Sequence, residues 1–475
     1  MNSIRLKAAC IAFSFLFGAT GCQHLSTDAA FADVRSDVSQ RLNKEVRWDR
    51  NNGVGCADPI QSMLSKELSA DDAVQIALLN NRGLQAEFED IGIAQAELMQ
   101  AGRLQNPRLS ANIRPPLASG PATTVSLDLT QRVLELILLP LRKKVAAAQF
   151  EATKARITAS VLRLAGQTKR AFYEMQAAQQ MLEMRKSVVA ATDASAYAAE
   201  KLRAAGNITK LDLSRERDQN DQARLDLAQT EATIIDTKER LNELMGLWGA
   251  EASGWKIGQH LPDIPASEIE LADFEKRAIE RSVDLEASRR SVEAFSRERG
   301  VANISPALSS LELGISAARE DDRVWHLGPS LSVEIPIFDQ GGAKRAKVEA
   351  EIRKVLAQHA ALAVSIRGNA RAATARLTKG REQVIFLRDQ VLPRRQEIVD
   401  DSQKEFNAMV VGVFQLLQAK RDQIDAGRQY IERLRDYWMA RSGVELIGMG
   451  LSEVKSESSG RSSQTSGSNS RSATE

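Results

Sequence analysis

From about Lys143 to Arg203 the chain carries no proline, and its Ala-, Glu-, Arg- and Leu-rich pattern is that of one continuous helix. At 1.5 Å per residue, roughly 60 helical residues extend about 90 Å, far more than a globular domain needs. Gly206-Asn207 ends the run and Leu211 to Met245 resumes it, so the segment reads as a long antiparallel hairpin. Residues from about Lys344 to Asn407 and from Phe414 to Ile447 read as a second one. Many apolar positions are small (Ala146, Ala147, Ala148, Ala155; Ala360, Ala361, Ala363), which permits close, coiled-coil-like contacts. A solvated helical stalk would show the same pattern.

The second hairpin is a copy of the first. A shift of 204 positions lays Leu213, Arg217, Asp218, Gln219, Arg224, Met245, Gly246 and Leu247 on Leu417, Arg421, Asp422, Gln423, Arg428, Met449, Gly450 and Leu451, all identical. A shift near 200 lays Leu84-Gln85-Ala86 on Leu285-Glu286-Ala287 and the stretch after Asn106 on the stretch after Ser305. One ancestral unit was duplicated. Each copy begins with a helix, Asp71 to Gly102 in the first, with Ala73, Ile76, Ala77 and Leu84 at helical spacing. Alternating segments follow at Leu109 to Ile113 and Val125 to Leu129, around a Pro115-Pro116 and Gly120-Pro121 turn region. Their counterparts are Leu311 to Ala317 and Leu331 to Ile337, the last closing on Pro336, as only a strand end or edge tolerates proline.

The fold class is therefore mainly α with a small β part: long antiparallel helical hairpins plus four strands per chain. A lipid bilayer admits strands only as closed barrels of about eight or more, so one chain cannot close one. Oligomers would supply strands in multiples of four, twelve in a trimer. A net charge of +2 gives no basic footprint for nucleic acid, and 27% charged against 43% apolar residues is too mixed for a polytopic helical membrane protein.

Residues 1–21 form a basic start (Arg5, Lys7), an apolar stretch and small residues up to Ala19-Thr20-Gly21-Cys22, a secretory signal and not a spanning helix. It resembles lipoprotein signals in which the cysteine becomes the acylated first residue, here Cys22; cleavage elsewhere would make it an ordinary export signal. Gln23 in place of Asp points to outer-membrane delivery. Cys10 leaves with the signal and Cys56 stays as a lone thiol, a bystander with no activating neighbour in sequence. The organisation expected is a signal (1–21), a lead after the anchor (22–67), a first repeat (68–250), a linker (251–267), a second repeat (268–451) and a Ser-rich disordered tail (452–475).

From about Leu68 to Leu451 this pattern resembles the TolC-like outer-membrane efflux proteins. The resemblance is carried by Pro336-Ile337-Phe338-Asp339-Gln340-Gly341 with Arg345, similar to the family's strand-to-helix signature. Ala73 to Ala86 and the Asn242-Glu243-Leu244-Met245-Gly246 helix ending add to it. It implies a homotrimer with a twelve-stranded transmembrane barrel and a tapering α-helical tunnel, meeting a periplasmic adaptor and through it an inner-membrane pump. It implies a passive conduit in the outer membrane, with no catalysis and no cofactor beyond the lipid on Cys22.

The closed end is then expected at the hairpin turns, with Asp212, Gln415 and Gln418 as gate candidates. Relatives carry acidic residues where Gln415 and Gln418 stand, and a glycine at Met409, so a strong cation filter is in doubt unless Asp212 or Asp400-Asp401 supply charge. Both glutamines could equally be solvated tip residues. On the strands, Leu127, Leu129, Leu331 and Val333 are the lipid-facing candidates. Asp321-Asp322, Trp325 and His326 would mark the exposed loop between the third and fourth strands. Single, scattered histidines, no phosphate loop and no nucleophile elbow leave an enzyme without support. The rival is a lipid-anchored periplasmic helical scaffold that never spans the membrane.

Overall fold

A computed structural model describes residues 28–48, 57–115, 123–302, 311–320, 324–333, 335, 337–338, 340 and 341–452. Helices α1 (Asp28–Leu42) and α2 (Ala57–Leu64) and strand β1 (Glu67–Leu68) precede the first repeat. That repeat runs α3 (Ala70–Asn80), α4 (Arg82–Ala101), β2 (Arg108–Arg114), β3 (Thr124–Arg132), α5 (Leu134–Ala204) and α6 (Lys210–Met245). A short α7 (Ala250–Gly254) and β4 (Lys256–Ile257) lead to the second. It consists of α8 (Phe274–Arg281), α9 (Val283–Ala302), β5 (Glu312–Arg319), β6 (Trp325–Ser332), α10 (Gly342–Phe386), a π-turn (Leu387–Val391), α11 (Leu392–Asn407) and α12 (Val413–Met449). The mainly helical, duplicated plan with four strands is the one expected, and α5 alone is 71 residues long.

Four local expectations are corrected. The helix expected over Asp71 to Gly102 is two helices, interrupted at Asn81 (φ −64°, ψ 117°), and the second copy breaks in the same way at Ser282 (φ −63°, ψ 116°). The fourth strand is Trp325–Ser332, not Leu331 to Ile337. Glu312, the first residue of β5, pairs with Ser332, and the ladder ends there. Trp325 and His326, assigned above to a loop, are drawn into β6 by pairing with Arg319 and Ala318. The long helix expected over Lys344 to Asn407 is interrupted by the π-turn just before Pro393.

The two helix breaks exist because each seats the end of a hairpin. α6 finishes at Gly246 (φ 68°) and α12 at Gly450 (φ 112°), both left-handed. Leu247 N–H donates to Asn242 O (2.9 Å) and Leu451 N–H to Leu446 O (3.1 Å), which closes both helices in the Schellman manner. Asn80 Nδ2 donates to Met245 O and Gly246 O (3.1 and 2.8 Å), and Asn81 Nδ2 to Leu244 O (3.0 Å). Asn81 meanwhile caps α4 by accepting from Leu84 N–H (2.9 Å). In the second copy Val283 N–H donates to Gly450 O (2.9 Å), and Ser282 Oγ accepts from Leu285 N–H (3.1 Å). There the helix-end carbonyls are served by α1: Arg41 Nη1 donates to Met449 O and Arg281 O (2.8 and 2.9 Å).

The main core lies where the two hairpins, the linker and these broken helices meet. It includes Leu68, Ile76, Phe172, Leu241, Met245, Trp255, Phe274, Ile366, Leu377, Leu434 and Tyr437. β1 and β4 pair in parallel through Glu67↔Lys256 and Leu68↔Ile257, tying the start of the first repeat to the linker. Glu268 accepts from Tyr437 Oη (2.6 Å) and pairs with Arg441 (3.0 Å) and Arg381 (3.5 Å), while Trp438 Nε1 donates to Pro262 O (2.8 Å).

An added Cβ at Gly246 would sit 2.7 Å from Asn80 O, and one at Gly450 would overlap Arg281 O. Combined with the left-handed backbone, Gly246→Ala and Gly450→Ala should each cost ~2 kcal/mol or more. Thermal unfolding of the detergent-solubilised protein followed by circular dichroism should show both variants melting below wild type; an unchanged midpoint would remove the seats from the account of stability.

Candidate functional site

β2, β3, β5 and β6 form one antiparallel sheet in the order β2-β3-β5-β6. The register sorts its side chains onto two faces. Leu109, Ala111 and Ile113 pair with Leu129, Leu127 and Val125, which pair with Ile315, Ala317 and Arg319, and these with Pro329, Leu327 and Trp325. Leu313 pairs with Leu331 on the same face. The opposite face carries Ser110, Asn112, Ser126, Asp128, Thr130, Ser316, His326 and Ser330, with Arg132 and Glu312 paired at 3.1 Å. On the apolar face, polar side chains stand only at the ends, as Gln131 and Arg319. Leu127, Leu129 and Leu331 are brought together on that face and are exposed, and Val333 follows β6 by one residue, also exposed.

Among the described residues, nothing covers either face or the outer edges of β2 and β6. Pro329 lies in β6, an outer strand that has one neighbour and can spare a backbone N–H. Gly314 lies on the polar face where a Cβ would overlap Leu129 O, so this part of the sheet packs more tightly than a side chain allows.

The hairpin tips lie at the opposite ends of the long helices. In the first, Gly206 (φ 80°) turns the chain and Thr209 caps α6. Asp212 N–H donates to Thr209 Oγ1 (3.1 Å), and the Asp212 carboxylate accepts from Thr209 Oγ1 and N–H (2.7 and 3.2 Å). These donors hold the Asp212 carboxyl below its ordinary pKa. In the second tip Gln415 takes the same place: its Oε1 accepts from Gly412 N–H (3.2 Å). Gln418 Nε2 donates to Asp422 (2.8 Å). The three gate candidates thus make these bonds within their own tips. Asp401 is paired with Lys404 (2.8 Å) and Asp400 accepts from Gln396 (2.8 Å), so neither acid is a bare charge. Met409 adopts φ 61°, the left-handed conformation of Gly206, and stands exposed beside Val410.

Of the strand-to-helix signature, Gly341 (φ 75°) precedes the first residue of α10, and Arg345 N–H donates to its carbonyl (3.1 Å). Phe338 is fully exposed. Pro336, Asp339, Cys22, Cys56 and Asp321-Asp322 lie outside the described residues. Among the described residues no group of three or more His, Cys, Asp or Glu could hold a metal ion, and no helix is long and apolar enough to cross a membrane.

One contact between the hairpins escaped the sequence reading. Glu216 of α6 is buried, accepts from Ser195 Oγ (2.7 Å) and meets Arg421 of α12 at 3.5 Å. In the first hairpin Arg217, the counterpart of Arg421, pairs with Glu200 (2.7 Å). The turns themselves align at a shift of 203, Gly206 with Met409, which puts the neutral Gln403 in place of Glu200, so Arg421 has no acid there and reaches across instead. That loss of charge was the available signal.

No protein-family model matches the chain. The cobalt-zinc-cadmium resistance protein CzcC of Cupriavidus metallidurans is 22% identical over 392 residues, 80% of this chain and 90% of that protein. The solved structure of CusC superposes with a TM-score of 0.65 at 16% identity, over 82% of this chain and 94% of that one. The Campylobacter jejuni CmeC outer membrane channel gives 0.68 at 12% identity, over 82% and 87%. The open state of the Neisseria gonorrhoeae MtrE outer membrane channel gives 0.64 at 14%, over 80% and 89%. The likeness covers about four fifths of this chain in each case, and the chain shares the fold of these solved outer-membrane channels.

Proposed function

We propose that this protein is the outer-membrane channel component of a tripartite export system, a homotrimer acting as a passive conduit. Three copies contribute twelve strands, each β6 pairing with the β2 of the next copy, and the barrel encloses the polar faces. The hairpins reach through the periplasm to an adaptor and through it to an inner-membrane pump. The observation that carries this reading is the division of the sheet into faces. A sheet with an exposed apolar face, an exposed polar face and two open edges is satisfied when its edges close on other copies, lipid covers one face and water fills the other. The lipobox-like Ala19-Thr20-Gly21-Cys22 supports an acyl anchor on Cys22, placed six residues before α1. The role of CzcC in cobalt, zinc and cadmium resistance makes divalent metal ions the first cargo to assay; a water-filled conduit needs no high-affinity ligand to pass them.

Native mass spectrometry and planar-bilayer recording test the reading together. A trimer with discrete conductance steps is expected, and a monomer that never conducts would favour the periplasmic scaffold. Leu127→Arg and Leu331→Arg should each cost about 2–4 kcal/mol at mid-bilayer and deplete assembled trimer from outer-membrane fractions, whereas Ser126→Arg on the polar face should assemble. Equal recovery of all three variants would contradict the lipid-facing assignment. Cys22→Ala should remove the acyl mass from the mature protein, and a mass already free of lipid in wild type would end the anchor proposal. At the second tip an Asp at 415 can keep the capping geometry Asp212 uses, so Gln415→Asp with Gln418→Asp should fold. The pair should raise cation selectivity in reversal-potential measurements if these residues ring the constriction; unchanged selectivity places the gate elsewhere.

A further inference from the structure

We infer that the strand-to-helix junction binds anionic phospholipid of the outer membrane's periplasmic leaflet. An apolar collar of Leu136, Ile137 and Phe338 sits in the lipid interface, and Lys143, Lys144 and Lys344, just tipward of it, take the headgroup phosphates. The inference rests on the channel reading above and adds to it a class of lipid that the reading does not itself require.

β3 ends at Arg132 and α5 begins at Leu134. Leu136 and Ile137 in its first turn are 55% and 60% exposed, and Phe338, between β6 and α10, is completely so. Apolar groups exposed just past the end of an apolar sheet face extend that face into the zone where strands give way to helices. Leu136, Pro140 and Lys143 follow one another on a single stripe of α5, flanked by Ile137 and Lys144. Further along the same stripe Lys154 holds Asp33 of α1 at 2.9 Å. The opposite side of α5 carries Arg142, Gln149 and Arg156, which line a groove between α4, α5 and α9. In the channel reading the groove faces the lumen, and the stripe faces outward together with α1, which leads back to the expected anchor at Cys22.

Lys143 and Lys144 come about two turns after Leu136 and Ile137, a step of roughly 10 Å along the helix. The headgroup layer on each side of a bilayer is about 5–8 Å deep. Side chains on a helix lean toward its N-terminus, here back toward the sheet, so the long lysine stems bring their ammonium groups up to that layer. Lys344 stands in the first turn of α10, shortly after Phe338. All three lysines are exposed, and among the described residues none has a carboxylate within ion-pair distance. Nearby cations are already neutralised: Lys347 pairs with Glu351 (3.8 Å) and Arg142 with Glu135 (3.0 Å). Unpaired ammonium groups beside an apolar collar complement a lipid that joins a net negative phosphate to acyl chains. With β6 of one copy against β2 of the next, Phe338 and Lys344 approach the next copy's exposed Leu104 and its Lys143, whose Cδ lies 3.7 Å from a Cβ placed on Gly102. The band then runs on across the subunit boundary.

Native mass spectrometry of the detergent-solubilised, full-length acylated protein, titrated with phosphatidylglycerol, phosphatidylethanolamine or inorganic phosphate, reads the preference directly. Phosphatidylglycerol should be retained at least fivefold more than phosphatidylethanolamine, and excess phosphate should not displace it. Lys143→Gln with Lys144→Gln and Lys344→Gln should bring phosphatidylglycerol down to the phosphatidylethanolamine level, while arginine at the same three positions keeps the preference. Lys186→Gln with Lys210→Gln and Lys420→Gln, on the hairpins far from the sheet, should leave it unchanged. Equal retention of the two lipids by wild type, a preference that survives the three glutamines at the junction, an equal loss from the remote lysines, or displacement by phosphate overturns the inference. A conducting trimer without lipid preference removes the band alone; a monomer that never conducts yet holds phosphatidylglycerol through the same lysines leaves the band and removes the channel.

Discussion

A four-stranded sheet that is apolar on one side, polar on the other and open at both edges has no stable place in a single water-soluble chain. Its apolar face would lie in water and the outer strands would offer unpaired backbone groups to any neighbour. Neither helical hairpin covers it: the strands contact one another, and the helices leave the sheet at α5 and α10 to pack among themselves. Closure with further copies inside a bilayer answers all of these demands at once, and the proposed trimeric channel is built on that constraint.

If the sheet dictates where the protein must live, the seats of Gly246 and Gly450 dictate how its long helices are held. A helix of 71 residues cannot be stabilised by its own sequence alone, since most helical stability in proteins comes from packing. Here each hairpin returns to the centre and is docked, end-on, into the break of a shorter helix. In the first repeat asparagines make the joint; in the second, Arg41 of α1 serves the same carbonyls. The segment following the expected anchor is therefore part of the framework and not only a tether.

The two copies have diverged most where they face different tasks. Thr209 and Asp212 cap the first hairpin's return helix with two side chains, whereas Gly412 and Gln415 do so with one. Glu200 has become Gln403, which redirects Arg421 from its own hairpin to Glu216 of the other. Ala190 has become Pro393 and Ala223 has become Gly427. Each change loosens the second hairpin's internal structure or transfers a contact to the first.

Periodicity and the repeated landmarks made the helical hairpins, the four alternating segments and the duplication legible from the sequence, because helix and strand periods are local properties of the chain. Alternation also put Leu127, Leu129 and Leu331 on one face, since it fixes which residues share a face before any partner is known. What local pattern could not supply was the break at Asn81 and Ser282, where no proline interrupts the code and the cause is the end of a helix some 165 residues away. Nor could it place the end of β6, which falls where its ladder with β5 ends, or the joining of Glu216 to Arg421, two charges on different helices. The chain's own residues determined which elements form and which faces are apolar; only the tertiary structure decided where those elements stop and what they hold, because both depend on partners distant in sequence.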